Sequence, residues 1–204
     1  MAAESRARHG QGDIGDRPLA SARMDRTNDQ IRLKDGRVLR IGCLRPEDAA
    51  ENVAYVDRVS AETDYFVFGP GESGVSVEEQ ERIIRQLEGN AYHFMRKGTV
   101  DGRIVANCVI VCPKRARTRH RGELGISVLQ SHWRLGVGKA MCLAMLDVAR
   151  GAGVTKVNLQ VRESNVGAMR LYESVGFLRE GATGRATRVG ERYHANVMMG
   201  VCLD

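Results

Sequence analysis

The chain has 204 residues, 43% of them hydrophobic and 27% charged, with a net charge of +6. That length suits one domain, and no apolar run approaches the roughly 18–20 residues a membrane span needs, so a membrane protein is not expected. The five cysteines, Cys43, Cys108, Cys112, Cys142 and Cys202, are odd in number, form no C-x-x-C pair and lie mostly in apolar stretches. A disulfide framework and a zinc site are therefore excluded in favour of reduced thiols, and a cytoplasmic location is expected.

Residues 1–29 read as a tail. The segment shows no apolar period, and five arginines balance Glu4, Asp13, Asp16, Asp25 and Asp29, so the basic excess belongs to residues 30–204. Met24, just before the first strand-like segment, is a candidate start. Ile31 to Lys34 and Arg37 to Leu44 alternate apolar and polar around Asp35-Gly36, a hairpin signature. Pro46 opens a helix that runs to about Ala61, and a Gly/Pro loop follows to Val75. Ser76 caps a second helix, with Glu79 placed for a capping box and Gly89 at its end.

Strands are expected over residues 91–97 and 103–112, about a turn at Asp101-Gly102, and again over residues 123–129. A helix over 136–149, a strand over 154–161, a helix over 165–175, and strands over 177–180 and 193–203 complete the chain. This order predicts an α/β (mixed α+β) fold whose central sheet is mixed, mostly antiparallel, with helices on both faces, rather than a doubly wound parallel sheet.

Two segments carry chemistry. The first is His132-Trp133-Arg134-Leu135-Gly136-Val137-Gly138-Lys139-Ala140, where a strand end turns through two glycines into a helix. Open amides at a helix start, aided by the helix dipole, hold anions such as phosphates. A dinucleotide fingerprint would need a third glycine where Met141 stands. A Walker A loop would need Ser or Thr after Lys139, where Ala140 stands, and a glycine at Trp133. Nicotinamide binding and nucleotide hydrolysis are thereby removed.

The second segment is Asn165-Val166-Gly167-Ala168-Met169-Arg170-Leu171-Tyr172-Glu173-Ser174-Val175-Gly176-Phe177: a capped helix with Ala168, Leu171 and Val175 on one face and a glycine turn into a strand.

Together, Gly136-x-Gly138 followed about thirty residues later by Asn-x-x-Ala-x-x-Leu-Tyr-x-x-x-Gly-Phe resembles the GNAT superfamily of N-acetyltransferases over roughly residues 31–203. The chain departs from the usual pattern in having Trp133 where Gln or Arg precedes the first glycine, with Arg134 next. The resemblance implies a GNAT-like fold and transfer of an acetyl group from acetyl-CoA, as co-substrate and without a metal, to an amine. It implies that Arg134, Leu135, Gly136, Val137, Gly138 and Lys139 wrap the pyrophosphate of coenzyme A. Ile126 and Val128 would offer strand backbone to the pantetheine and acetyl group, in a gap between the 123–129 and 154–161 strands. A bulge there would free an amide for the oxyanion, Asn165 would lie beside the cofactor, and Tyr172 would meet its sulfur.

Glu123 is the candidate base that deprotonates the amine, and Glu62 and Asp64 are candidates for attracting it. A nucleophilic Cys142 is disfavoured because no histidine adjoins it in sequence. The basic run Lys114, Arg115, Arg117, Arg119, His120 and Arg121 lacks the interleaved aromatics of a nucleic-acid platform and reads as a solvated loop, although RNA, an acidic protein or the cofactor's phosphates are the ligands it would suit. The acceptor is a small-molecule or protein amine, including a ribosomal one held by the 114–121 run. The family admits homodimers, and the rival function is a non-catalytic acyl-CoA sensor.

Overall fold

The computed structural model describes residues 29–66 and 68–204. The expected tail, and Met24 within it, fall outside the described residues except for Asp29. Eight strands form one sheet in the order β1-β2-β3-β4-β5-β6-β8-β7. They are β1 (Asp29–Arg32), β2 (Val38–Cys43), β3 (His93–Val100), β4 (Arg103–Val111), β5 (Arg121–Val128), β6 (Lys156–Arg162), β7 (Leu178–Val189) and β8 (Arg192–Cys202). Neighbours are antiparallel except β5 and β6, which are parallel. A short 3-10 turn at Pro46–Asp48 leads into α1 (Ala49–Glu62); α2 is Val77–Leu87, α3 Val137–Gly151 and α4 Val166–Glu173. The mixed, mostly antiparallel sheet is the expected one.

The side-chain alternation of the strands assigns the helices to faces. Asn107 of β4 donates to Asn52 of α1 at 2.5 Å, and Ser127 of β5 meets the Tyr55 hydroxyl of α1 at 2.8 Å. The even-numbered neighbours point the other way: a Cβ on Gly98 would touch both Ala106 and Met141 of α3. So α1 covers one face, while α3 packs on the opposite face with α4 beside it. Ala106, Cys108, Ile110, Met141, Cys142 and Met145 form the core between β4 and α3, each almost fully buried.

Turn chemistry holds where glycine has no substitute. Gly36, at φ +87°, closes the β1–β2 hairpin, and the Leu33 amide donates to the Arg37 carbonyl across it at 2.8 Å. Ser76 Oγ accepts from the Glu79 amide at 3.1 Å, whereas the Glu79 carboxylate pairs with Arg82 at 2.7 Å, so the capping box closes in one direction only. The larger difference is β7. It continues to Val189 instead of stopping at Glu180, because Gly181, Gly184 and the polar side chains around them conceal a strand that pairs with β8 through two register irregularities. No helix among the described residues is long and apolar enough to cross a membrane.

Candidate active site

The sheet opens where its one parallel pair begins to diverge. β5 and β6 are paired only through Arg121–Lys156, Gly122–Val157 and Glu123–Asn158. Beyond that rung β5 stays with β4, in unbroken register from Glu123 to Val128, while β6 stays with β8. The anticipated splay of the two strands is therefore present, whereas the bulge expected to free an amide is not: β5 keeps its register with β4.

Backbone direction follows from the ladder. The Leu129 amide donates to Val105 of β4 at 2.9 Å, so odd-numbered residues of β5 turn their amides to β4. Even-numbered residues turn theirs the other way: Leu124's completes the last rung to β6, at Asn158, and those of Ile126 and Val128 face the gap. Val128's carbonyl is capped by Trp133 Nε1 at 2.7 Å, which gives Trp133 a structural task at the position where the motif departs from the usual family residue.

β5 ends at the turn that begins α3. Gly136, at φ +100°, caps the helix, and Arg134 is one of three non-glycine residues with positive φ among the described residues, at +60°. The first helical bond runs from the Ala140 amide to Gly136, and among the described residues the amides of Arg134 through Lys139 reach no acceptor. Six successive open donors at a helix N-terminus are what a pyrophosphate requires. The two glycines differ in purpose. A Cβ on Gly136 would meet open space, so that position needs glycine for its backbone angle. On Gly138 it would come within 2.9 Å of Leu171, so that position needs glycine to let α4 approach α3.

α4 brings two further residues. Asn165 caps it, its side-chain oxygen accepting from the Ala168 amide at 3.1 Å. Tyr172 is buried at 8% exposure, edge-on to Phe177 with ring centroids 5.8 Å apart. Its hydroxyl makes no hydrogen bond among the described residues, and burial, with the nearby Cys142 and Cys108, raises its pKa far above the ordinary tyrosine value. The same burial pushes the Cys142 thiol up to about 12, so it stays protonated and is no nucleophile. Glu123 is exposed, on the last rung before the gap and on the α1 face. Tyr172 lies on the α3 face, so these two residues flank the gap from opposite sides.

The proposed acceptor carboxylates are already engaged. Glu62 accepts from the Gln130 backbone amide at 2.6 Å. Asp64 forms an ion pair at 3.0 Å with Arg162, whose side chain is only 6% exposed. Arg162 also donates to the Asp64 carbonyl and lies 5.0 Å from the Tyr65 ring centroid, while the Tyr65 hydroxyl donates to the Ser164 carbonyl at 3.3 Å. Arg162, Tyr65 and Tyr55 take part in these contacts and in that between α1 and β5, although sequence reading gave none of them a role. Arg162 follows the alternating apolar residues Val157, Leu159 and Val161, and its burial at a polar position of that strand has no local signal, nor have the other two.

The basic run 114–121 joins β4 to β5 at the end of β5 away from the glycine turn. An eight-residue strand is about 26 Å long, which separates that run from the open amides. Among the described residues no group of His, Cys, Asp and Glu is arranged to hold a metal.

A model of the Acetyltransferase (GNAT) family matches residues 60–177, which span both motifs and the diverging strands. The fold superposes on a GNAT-family acetyltransferase from Streptococcus pneumoniae with a TM-score of 0.77 and 28% identity, covering 80% of this chain and 99% of that one. It also superposes on yncA, a putative acetyltransferase from Salmonella typhimurium solved with acetyl-CoA, with a TM-score of 0.71, 16% identity, and coverage of 81% and 94%. A mycothiol acetyltransferase from Thermobispora bispora is 50% identical over 44 residues, a stretch of 22% of this chain and only 15% of that protein. With a gap between parallel strands, an open amide turn and a family match across both, this chain belongs to the GNAT family of acetyltransferases.

Proposed function

We propose that the protein transfers an acetyl group from acetyl-CoA to a primary amine by direct attack, with both substrates bound together. The observation that carries this reading is the continuity of open donors: the amides of Ile126 and Val128, past the last β5–β6 rung, lead along the gap into those of Arg134 through Lys139 at its end. One line of backbone thus offers donors for an acyl carbonyl, a pantetheine arm and a pyrophosphate. Asn165 borders the same end through the start of α4, and Lys139 and Arg134 add positive charge.

In this reading Glu123 accepts the proton of the incoming ammonium. It sits about 10 Å along β5 from Ile126, so the proton passes through water to the carboxylate. The freed amine attacks the thioester carbonyl, and the negative charge that builds on oxygen is held by a gap-facing amide of β5, a kind of donor worth about 3–4 kcal/mol of barrier. The carbon–sulfur bond breaks as the nitrogen gives its second proton to solvent, and the thiolate leaves toward Tyr172 on the opposite side of the gap. A tyrosine with so high a pKa donates a hydrogen bond more readily than its proton, so stabilising the thiolate is its task. Glu62 and Asp64 act by holding the wall of the acceptor site in place, because both are already engaged.

An acceptor screen with acetyl-CoA, following free thiol with the wild type and Glu123→Gln, tests the reading. Thiol release that depends on one class of amine, with kcat about 10²–10⁴-fold lower in the variant, supports it. Coenzyme A binding without thiol release for any small amine, peptide or ribosomal acceptor replaces it with the sensor.

A further inference from the structure

The open amide turn is an improbable shape for a chain to hold unaided: Arg134 sits in the left-handed region, and none of the six amides bonds within the turn. Its support comes from the distant β1–β2 hairpin. The Lys34 amide donates to the Leu135 carbonyl at 3.2 Å. Arg37, itself gripped by Asp35 at 2.7 Å, places Nη1 3.0 Å from His132 Nε2, and His132 Nδ1 lies 2.9 Å from Ser131 Oγ. Arginine only donates, so Nε2 must accept. The proton of a neutral His132 is then on Nδ1 and goes to Ser131. His132 is 9% exposed and stands two residues before Arg134.

We propose that His132 and Arg37 are positioning residues for cofactor binding, and that the neutral imidazole accepting from Arg37 fixes the turn's amides for the coenzyme A phosphates. The inference rests on the cofactor reading above. A protonated His132 would present a second donor to the guanidinium and break the clasp. The charged groups that act on His132 are Arg37 and Asp35 of the first hairpin, Asp101 of the β3–β4 turn and Glu62 at the end of α1. Burial, seconded by Arg37, outweighs the three carboxylates and lowers the imidazole pKa, so the clasp is intact at neutral pH.

The test is calorimetric binding of coenzyme A from about pH 8 to about pH 5.5, the range that brackets the histidine pKa, to wild type, His132→Gln and Arg37→Met, with melting temperatures as a check on folding. Glutamine keeps an acceptor for Arg37 but cannot titrate. Expected is wild-type affinity in His132→Gln near pH 8, with a shallower fall in acid than the wild type shows. Arg37→Met should bind about tenfold more weakly near pH 8, with kcat at saturating acetyl-CoA unchanged. Parallel pH curves for wild type and His132→Gln would assign the fall to the ligand's own phosphate and overturn the inference, as would unchanged affinity in Arg37→Met. Wild type that binds no coenzyme A at any pH defeats the cofactor reading itself.

Discussion

The two halves of the proposed site are made of different material. The cofactor half is backbone: gap-facing amides of β5 and the open turn from Arg134 to Lys139. The acceptor half is side chains drawn from segments far apart in the chain, with Glu62 tied to Gln130, and Arg162 tied to Asp64 and stacked near Tyr65. A backbone site needs residues only where a side chain would obstruct it, so it leaves a short glycine signature. A side-chain site can be built from many residues once the distances suit, so it leaves none.

The sharpest way to break this comparison is to remove Tyr172, the side chain proposed to meet the leaving thiolate. Tyr172→Phe should lower kcat by about 10²-fold at little cost in acetyl-CoA KM, read by steady-state thiol release. A loss confined to KM would place Tyr172 in binding.

The two glycines divide next. Gly136→Ala forces an L-residue to φ +100°, at about 1–3 kcal/mol, and should weaken coenzyme A binding along with stability. Gly138→Ala presses on Leu171 instead, at about 1–3 kcal/mol if α4 cannot yield, and should lower kcat by moving Tyr172. Denaturation midpoints together with coenzyme A titration separate the two.

Arg162→Met probes the acceptor half alone. Loss of the Asp64 pair and the Tyr65 contact should cost about 1–2 kcal/mol and raise the acceptor KM, with acetyl-CoA KM unchanged in initial-rate measurements.

Alkaline stability is the smallest effect near neutral pH. Burial raises the pKa of both Tyr55 and Tyr172 above the ordinary 10, so the folded state keeps protons that the unfolded chain releases. Their contribution is complete below pH 10 and falls by about 1.4 kcal/mol per pH unit per tyrosine above it, measurable by urea unfolding. A flat profile would mean that these hydroxyls are solvated.

Local patterns determined most of the fold and the cofactor half. Asp35-Gly36, Asp101-Gly102, Ser76 and Asn165 each state a turn or cap by chemistry that acts within a few residues. The alternating strands and the two motifs then leave few sheet orders. Long-range pairing decided the rest. β7 runs to Val189 because β8 offers partners across the hairpin, although its own residues are glycine-rich and exposed. The gap opens because β5 follows β4 and β6 follows β8, and that divergence frees amides of β5 without a bulge. Glu62 and Asp64 read from sequence as free charges for an amine, and only folding brought the Gln130 amide and Arg162 within bonding distance to claim them. The glycine turn proposed to hold the pyrophosphate was legible because a helix N-terminus makes its own binding groups. The clasp of Arg37 on His132 was not, since nothing local relates two residues 95 positions apart.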